Sequence, residues 1–254
     1  MTLNKNKIKF IKSLSIKKYR DESGCFLAEG NKLVADLLPY FDCDLLIYES
    51  SWLATQGNIQ ASQLIEVEPE GISKISLLKN PQQVLAVFRQ AQYELEYADL
   101  LGNINLVLDC IQDPGNLGTI IRIADWFGIE NIICSSDSAD VYNPKTVQAT
   151  MGALARVKVH YAGLSDFLKK NKTLPVYGTF LDGEDIYTKN LSKEGLIIMG
   201  NEGNGISSSI EKFVTDKLYI PNFPANKATS ESLNVAVATA ITCAEFRRRQ
   251  IYLS

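Results

Sequence analysis

The sequence predicts an α/β protein: a C-terminal domain with a mostly parallel sheet between helices, and a smaller α/β domain before it. Short apolar segments alternate with helical segments along most of the 254 residues, which is typical of βαβ units. An acidic, polar stretch over residues 92–99 separates two regions of this kind. Several polar residues also follow apolar strands, at the edge where open α/β sheets bind ligands.

Residues 1–98 are assigned to the smaller domain, which begins with a basic helix. Ile8, Ile11 and Leu14 recur at helical spacing, and no acidic residue precedes Asp21. The basic residues before that point are Lys5, Lys7, Lys9, Lys12, Lys17, Lys18 and Arg20. A helix of this composition is either a solvated surface or a surface that contacts phosphate groups. After it, strands are predicted over 25–28, 45–48, 64–67 and 84–88, with helices over 31–38 and 72–78.

Residues 104–254 are assigned to the larger domain, which starts with a new apolar strand after Asn103. The predicted strands lie over 105–108, 132–134, 157–159, 176–180, 196–199 and 217–220. The predicted helices lie over 119–127, 144–151, 164–170, 206–213 and 232–250. His160, the only histidine of the chain, follows an alternating strand pattern and is expected near a sheet edge.

Composition and motif content disfavour several classes of function. The formal net charge of −3 does not describe a uniformly basic nucleic-acid binder, and no apolar run approaches the roughly 20 residues of a membrane span. The N-terminus lacks the apolar core of a secretory signal, so a cytoplasmic protein is expected. The five cysteines are scattered without a C-x-x-C pair, which predicts no metal site. A G-x-G-x-x-G after the first strand of the larger domain and a P-loop are both missing, which disfavours dinucleotide and NTP sites.

Three polar segments of the larger domain carry the candidate chemistry. The first is LDCIQDPGNLGTIIR over residues 108–122, the second is IIMGNEGNGI over 197–206, and the third is SESLNVAVA over 230–238. Their order, spacing and residue identity resemble the three signature motifs of the SpoU (TrmH-type) family of RNA ribose 2′-O-methyltransferases. The resemblance covers residues 104–249, and FLAEG at 26–30 resembles the start of the family's N-terminal RNA-holding domain.

The resemblance implies S-adenosylmethionine as the cofactor and assigns roles to individual residues. The catalytic group that it implies consists of Asn116, Arg122, Glu202, Ser232 and Asn234, with Arg122 at its centre. The cofactor-binding residues that it implies are Thr179, Leu181, Met199, Gly200, Asn201, Gly203, Ile220, Pro221 and Leu233. No metal is implied.

Several of these residues also have a purely structural interpretation. Arg122 could form an ion pair with Asp125 or Glu130 instead of binding a substrate. Glu202 could stabilise the N-terminus of the next helix, and Ser232 could cap the last helix. The match of each whole segment to a family motif favours the catalytic interpretation for Arg122 and Glu202, whereas for Ser232 both interpretations stay open.

The family also implies a trefoil knot formed by the C-terminal segment, and a homodimer. One segment departs from the family pattern. The loop before the third motif is usually short and contains a glycine, whereas residues 222–230 form a longer segment without glycine. This departure concerns the local geometry of the cofactor site.

The predicted function is therefore 2′-O-methylation of a ribose in structured RNA, with ribosomal RNA as the first choice and transfer RNA as the second. A non-catalytic RNA-binding factor of ribosome assembly is an alternative from another class. The presence of Asn116, Arg122, Glu202, Ser232 and Asn234 disfavours it. A nucleotide-dependent α/β enzyme of an unrelated family is a third interpretation, and it lacks a phosphate-loop signature.

Overall fold

A computed structural model of the chain describes residues 3–201, 203–224 and 232–252. The contacts divide the chain into two compact units, residues 1–92 with 140–155 and residues 93–139 with 156–254. The helices are α1 (Lys5–Ser13), α2 (Lys17–Ser23), α3 (Asn31–Leu37), α4 (Ser50–Leu53), α5 (Pro69–Ile75), α6 (Pro114–Trp126), α7 (Pro144–Thr150), α8 (Leu164–Lys170), α9 (Ser208–Glu211) and α10 (Val235–Tyr252). The strands are β1 (Cys25–Glu29), β2 (Cys43–Tyr48), β3 (Leu64–Glu66), β4 (Val84–Arg89), β5 (Ile104–Leu108), β6 (Asn131–Ser135), β7 (Lys158–Ala162), β8 (Val176–Asp185), β9 (Gly195–Met199) and β10 (Asp216–Tyr219).

The first unit is a four-stranded sheet with helices on both faces. The strand order is β1-β4-β2-β3, in which β4 runs antiparallel to β1 and β2, and β3 runs parallel to β2. On one face, alternate residues such as Leu27 and Ile47 pack against Ile11 of α1 and Ile72 of α5. On the other face, the ring of Phe26 lies 5.2 Å from that of Phe41, edge to face, and 5.6 Å from that of Phe88. The predicted small α/β arrangement of the N-terminal region agrees with this structure.

Residues 140–155, which include α7, pack within the first unit. The guanidinium of Arg20 donates from Nε and Nη2 to one Asp140 oxygen at 3.0 and 2.6 Å, and the side chain of Arg20 is only 1 % exposed. The ring of Phe26 lies 4.7 Å from that of Tyr142. The sequence places this segment in the larger domain, because its covalent neighbours belong there. The domain limits 1–98 and 104–254 stay a prediction, but the chain passes between the two compact units three times.

The basic N-terminal segment forms two helices rather than one. A turn at residues 14–16 separates α1 from α2. Lys5, Lys9 and Lys12 are exposed on α1, whereas Arg20 is buried by its pairing with Asp140. Arg20 therefore does not belong to the basic surface that the sequence predicts.

The second unit is a six-stranded sheet with the order β10-β8-β9-β5-β6-β7. Each neighbouring pair runs parallel, as predicted, and β5, β6 and β9 are buried along their whole length. His160 lies on the edge strand β7, where the sequence placed it. Because β5 and β9 are neighbours, the loops that leave their carboxyl ends start side by side. The knot implied by the family resemblance stays a prediction.

Strand β8 contains an irregularity that shapes the site. Its register with β10 changes from Lys217–Gly178 to Leu218–Glu184, so residues 179–183 bulge out of the pairing. We call these residues the β8 bulge. At its end, a Cβ on Gly183 would lie 2.5 Å from the backbone carbonyl carbon of Leu218, so glycine is needed for this close approach. None of the helices in the described part of the chain is both long and apolar enough to cross a membrane.

Candidate active site

The first and second motifs meet at the carboxyl ends of β5 and β9. The backbone amide of Asp109 donates to the carbonyl oxygen of Met199 at 2.9 Å. The side chain of Asp109 accepts from the backbone amide of Ser207 at 2.7 Å. In the other direction, the side-chain amide of Asn201 donates to the carbonyl oxygen of Cys110 at 2.8 Å. Backbone and side chains therefore both fix the two loops against each other.

The second motif folds into a tight loop after β9. Asn201 and Gly205 exchange two backbone hydrogen bonds of 3.0 and 2.8 Å, which close the loop. A Cβ on Gly200 would lie 2.2 Å from the carbonyl carbon of Gly205, so a larger residue would have to displace the backbone. The side chain of Asn201 also accepts from the amide of Gly203 at 2.8 Å. Glu202 lies outside the described residues, and its catalytic role stays a prediction.

The first motif enters its helix earlier than the sequence indicated. Helix α6 begins at Pro114, not at Thr119, and the side chain of Asp113 caps it by accepting from the amide of Asn116 at 2.9 Å. Proline is favoured at the first helical position, because its missing N–H would have no partner there. Asn116 therefore lies in the first turn of α6 and not in a separate turn before it.

The ion pair of Arg122 with Asp125, which the sequence analysis gave as the less favoured structural interpretation, does not form. Asp125 is engaged instead by Arg156, whose Nε and Nη2 atoms donate to its two oxygens at 2.8 and 2.7 Å. Arg122 is exposed, and within residues 3–201, 203–224 and 232–252 it makes no ion pair. Its guanidinium is therefore open to an incoming anion.

The third motif places its asparagine at the start of α10. The side-chain oxygen of Asn234 accepts from the amides of Ala236 and Val237 at 3.0 and 3.3 Å, so Asn234 caps the helix. Of the two interpretations left open for Ser232, the structural one does not hold, because α10 begins at Val235 and its cap is Asn234. The amide nitrogen of Asn234 donates to the side-chain oxygen of Asn116 at 3.0 Å. The first and third motifs are thereby joined directly.

Two serines that the sequence analysis missed support the first motif from β6. Cys110 has a φ of 60°, a left-handed conformation that is uncommon for a residue with a side chain. Its amide donates to Ser135 Oγ at 2.8 Å, and the amide of Ile111 donates to Ser138 Oγ at 3.2 Å. A hydrogen bond to Asp137 raises the pKa of the Cys110 thiol. The signal that could have identified them is the polar residues at the carboxyl end of β6, because this end lies beside the carboxyl end of β5 in the parallel sheet.

A cavity of about 620 Å³ lies between the second motif, the third motif and the β8 bulge. Its lining residues are Thr179, Phe180, Leu181, Asp182, Met199, Gly200, Asn201, Gly203, Asn204, Gly205, Ile206, Glu211, Lys217, Leu218, Tyr219, Ile220, Ser232, Leu233, Val235 and Ala238. The lining therefore combines apolar side chains, the glycines and amides of the second motif, and the charged side chains of Asp182, Glu211 and Lys217. Pockets for small ligands in proteins typically have volumes of roughly 300–1,000 Å³.

The cavity contains most of the predicted cofactor residues. Among those residues, only Pro221 does not line the cavity. Ser232, a member of the predicted catalytic group, also lines it. Asn116, Arg122 and Asn234 lie outside the lining, although Asn116 and Asn234 are bonded to each other. The sequence analysis missed the charged lining residues Asp182, Glu211 and Lys217. No periodicity or motif marks these residues, because the β8 bulge and the position of α9 bring them there.

The donor set suits S-adenosylmethionine. The adenosyl group has apolar faces and polar edges, and the lining offers Leu181, Met199 and Leu233 together with the amide of Asn201. The glycine at position 200 allows close approach of the backbone. Within the described part of the chain, no group of three or more His, Cys, Asp or Glu side chains could hold a metal ion. The expectation that the site has no metal stays a prediction.

Comparison with known proteins identifies the family. The model of the SpoU rRNA Methylase family matches residues 103–244, more than half of the chain. The chain belongs to the SpoU methylase family. The model of the MRM3-like substrate binding domain matches residues 5–86, which fall in the first unit. The family, the enzyme class and the α/β fold class predicted from the three motifs are therefore confirmed.

Individual SpoU-type proteins are similar over nearly the whole chain. The 23S rRNA (guanosine(2553)-2′-O)-methyltransferase RlmP of Bacillus subtilis is 32 % identical over 92 % of this chain and 93 % of its own length. A TrmH-family structure from Porphyromonas gingivalis is 40 % identical with a TM-score of 0.89, over 98 % of this chain and 100 % of its own. The AdoMet-bound rRNA methyltransferase from Sinorhizobium meliloti is 33 % identical with a TM-score of 0.83, over 100 % of this chain and 98 % of its own.

Proposed function

We propose that this SpoU protein transfers a methyl group from S-adenosylmethionine to a ribose 2′-hydroxyl of ribosomal RNA. The observation that carries the proposal is the convergence of the three motifs around one cavity. The second and third motifs line the cavity, and the first is bonded to both of them, through Asn201 and through Asn234. The rRNA 2′-O-methyltransferase RlmP, which matches over almost the full length, supports the choice of ribosomal RNA. Transfer RNA is the second candidate substrate.

The cavity is the proposed cofactor site. When bound, S-adenosylmethionine supplies a methyl group on a cationic sulfur. Met199 and Leu233 would contact the apolar part of the cofactor, and Asn201 would meet its polar edge. Exclusion of water by the apolar lining favours a reaction in which this positive charge disappears. Holding both reactants in place removes much of the entropic part of the barrier.

Arg122 is the proposed catalytic residue toward the RNA. A guanidinium stays protonated at neutral pH, so its role is to bind an anion and not to remove a proton. Its two-pronged geometry suits the phosphate next to the reacting ribose, and its charge stabilises the oxygen as the 2′-proton leaves. The bond between Asn116 and Asn234 holds the start of α6, and so the helix that carries Arg122, against α10.

The first unit is the proposed RNA-holding part. It contains the match to the MRM3-like substrate binding domain. Lys5, Lys9 and Lys12 lie at positions i, i+4 and i+7 of α1, so they share one face of the helix. All three are exposed, and none forms an ion pair within the described ranges. This lysine stripe fits the phosphate backbone of RNA.

A homodimer is proposed for the second unit. Helices α6 and α10 pack on each other, and each exposes large apolar side chains. Trp126 is 84 % exposed on α6, and Val237 and Ile251 are 49 % and 66 % exposed on α10. Exposed apolar side chains on two adjacent helices support an interface at this place. Sedimentation equilibrium should give a dimer, and Ala244→Arg in the middle of the exposed face of α10 should give a monomer; a monomeric wild-type protein would contradict the proposal.

The decisive experiment compares ribose methylation in total RNA from a deletion strain and its parent. Loss of one 2′-O-methyl group in ribosomal RNA, restored by the wild-type gene and not by Arg122→Ala, supports the proposal. A lost site in transfer RNA instead would select the second substrate. Unchanged methylation, together with no heat of binding for S-adenosylmethionine in calorimetry, would favour the ribosome-assembly alternative. The cytoplasmic location stays a prediction.

A further inference from the structure

The β8 bulge forms one side of the cofactor cavity, and a lysine on β10 contacts two of its residues. Thr179, Phe180, Leu181 and Asp182 of the bulge all line the cavity. Leu181 is 78 % exposed, so the core does not hold the bulge through that side chain. The bulge also lies outside the regular pairing with β10. Phe180 packs against the apolar cluster of the second unit, and Thr179 Oγ1 lies 4.0 Å from Met199 Sδ. A further, electrostatic contact holds the bulge at Asp182.

Lys217 provides that contact from β10. Its ammonium group lies 3.1 Å from an Asp182 oxygen in the bulge and 2.7 Å from a Glu211 oxygen on α9. The same nitrogen lies 4.5 Å from the centre of the Phe180 ring, a distance typical of a cation–π contact. Hydrogen bonds to Glu211 and then Asp182 raise the pKa of Lys217, so the lysine is charged at neutral pH.

We propose that Lys217 is a positioning residue that holds the β8 bulge in the conformation required to bind S-adenosylmethionine. This inference rests on the proposed function of the cavity. Lys217 acts through Asp182 and Phe180, two bulge residues that line the cavity, and through Glu211 on another element. Lys217 can thus fix the width of the cavity, and the carboxylates of Asp182 and Glu211 neutralise its positive charge.

The expected effect follows from the population of the competent conformation. A single exposed ion pair contributes little, but here one cation has three partners on two separate elements. If the bulge without Lys217 spends about a tenth to a fifth of its time in the competent position, the apparent Kd of the cofactor rises about five- to tenfold. The rate of transfer from the bound state should change little, because the contacts of Lys217 among the described residues are with Asp182, Glu211 and Phe180, none of which belongs to the first motif.

The chain contains a matched control. Lys189 also bridges two carboxylates on β8 and β10, with 3.0 Å to Glu184 and 3.0 Å to Asp216. Neither Lys189 nor its two partners line the cavity. Lys189→Gln therefore removes a similar bridge from the same strand pair without touching the cavity.

The test is calorimetric titration of the full-length protein with S-adenosylmethionine, together with thermal unfolding and single-turnover methylation of RNA. Lys217→Gln should raise the Kd about five- to tenfold, Lys217→Arg should restore most of the affinity, and Lys189→Gln should leave it unchanged at a similar Tm. Equal affinity of Lys217→Gln and wild type would overturn the inference alone. An equal loss in Lys189→Gln would also overturn it, because the effect would then be general destabilisation. If the wild-type protein does not bind S-adenosylmethionine, the proposed function fails as well.

Discussion

The side-chain amide of Asn234 donates to the side-chain oxygen of Asn116 over 3.0 Å, although 118 positions separate the two residues. The oxygen of the same Asn234 side chain caps α10. One side chain thus starts the last helix and attaches it to the first turn of α6. The distance between the two residues in the sequence gives no sign of this contact. In our proposal, the contact holds the first and third motifs in the arrangement that catalysis requires.

Breaking this bond should lower turnover more than stability. Asn234→Ser keeps an effective helix cap but is too short to reach Asn116, and Asn116→Ala removes the other partner. Each variant should lose about tenfold or more in kcat, because misplacement of about 1 Å is costly in catalysis. The double variant should lose little more than either single one, since both changes remove the same bond. Steady-state kinetics measure this; fully additive losses would show that the two residues act independently.

Substitution of Arg122 should separate chemistry from cofactor binding. Arg122→Lys and Arg122→Gln should lower the methylation rate by about 100- to 1,000-fold, because neither side chain presents a bidentate cation. The Kd for S-adenosylmethionine and the Tm should stay near wild type, since Arg122 is exposed and does not line the cavity. Single-turnover assays and calorimetry provide the two readouts. Near-normal methylation by Arg122→Gln would rule out the assigned role.

The lysine stripe of α1 should set the salt dependence of RNA binding. The triple variant Lys5→Gln, Lys9→Gln, Lys12→Gln should reduce the slope of log K against log salt by about two to three, at about 0.7–0.9 per phosphate contact. The control is Lys17→Gln, Lys18→Gln, because these lysines already pair with Asp21 and Glu22 at 3.3 and 3.8 Å. Filter binding over a range of salt concentrations measures both slopes. An equal change in the control would argue against a specific stripe.

Removal of Asp140 should destabilise the first unit strongly. Asp140→Ala removes the carboxylate that pairs with the buried guanidinium of Arg20 and leaves the carbonyl oxygen of Leu14 as an acceptor. Loss of one partner of a buried ion pair costs about 3–5 kcal/mol. Asp125→Ala breaks the pair with Arg156, whose side chain is 45 % exposed, and should cost less than about 1 kcal/mol. Urea unfolding monitored by circular dichroism compares the two. Similar losses of unfolding free energy in the two variants would show that burial of the ion pair does not determine its contribution to stability.

His160 should make stability depend on pH below neutrality. Burial lowers its pKa below the ordinary value of 6.5, and its ring nitrogen lies 3.2 Å from the Asn131 oxygen. Because the folded pKa is the lower one, the stabilisation is complete above pH 6.5 and is lost as the pH falls through the folded pKa. His160→Gln should weaken this dependence. Since the chain has one histidine, a single imidazole resonance in proton NMR reports its titration, and a pKa at or above 6.5 would contradict the expectation.

The sequence predicted the parallel sheet and the motif loops because both leave local signals. Strand β9 is apolar along its length, and Gly200 marks the tight turn that follows it. The start of α6 at Pro114 was not predicted, although proline is common at the first position of a helix. The start of α10 was misplaced, because Ser232 and Asn234 are both good caps, and only the contact with Asn116 distinguishes them. Local propensity does not contain that information.

The parts of the site that escaped prediction depend on long-range pairing. Lys217 enters the cavity because the register of β8 and β10 changes beside it, and a register change has no signature in one strand alone. From the sequence, Arg20 is indistinguishable from the exposed lysines near it. It is buried because it pairs with Asp140, which lies 120 positions later in the chain. Glu202 lies outside the described residues, so its predicted role is untested.

The return of residues 140–155 to the first unit has a consequence for protein synthesis. Domains generally fold as units, the N-terminal one first, while the ribosome is still translating. Here β1 and Arg20 emerge long before α7 and Asp140, which complete their packing. The amino-terminal unit can therefore complete its packing only after the first strands of the methyltransferase sheet have also left the exit tunnel. Until then, Arg20 lacks its carboxylate partner and Phe26 lacks its contact with Tyr142.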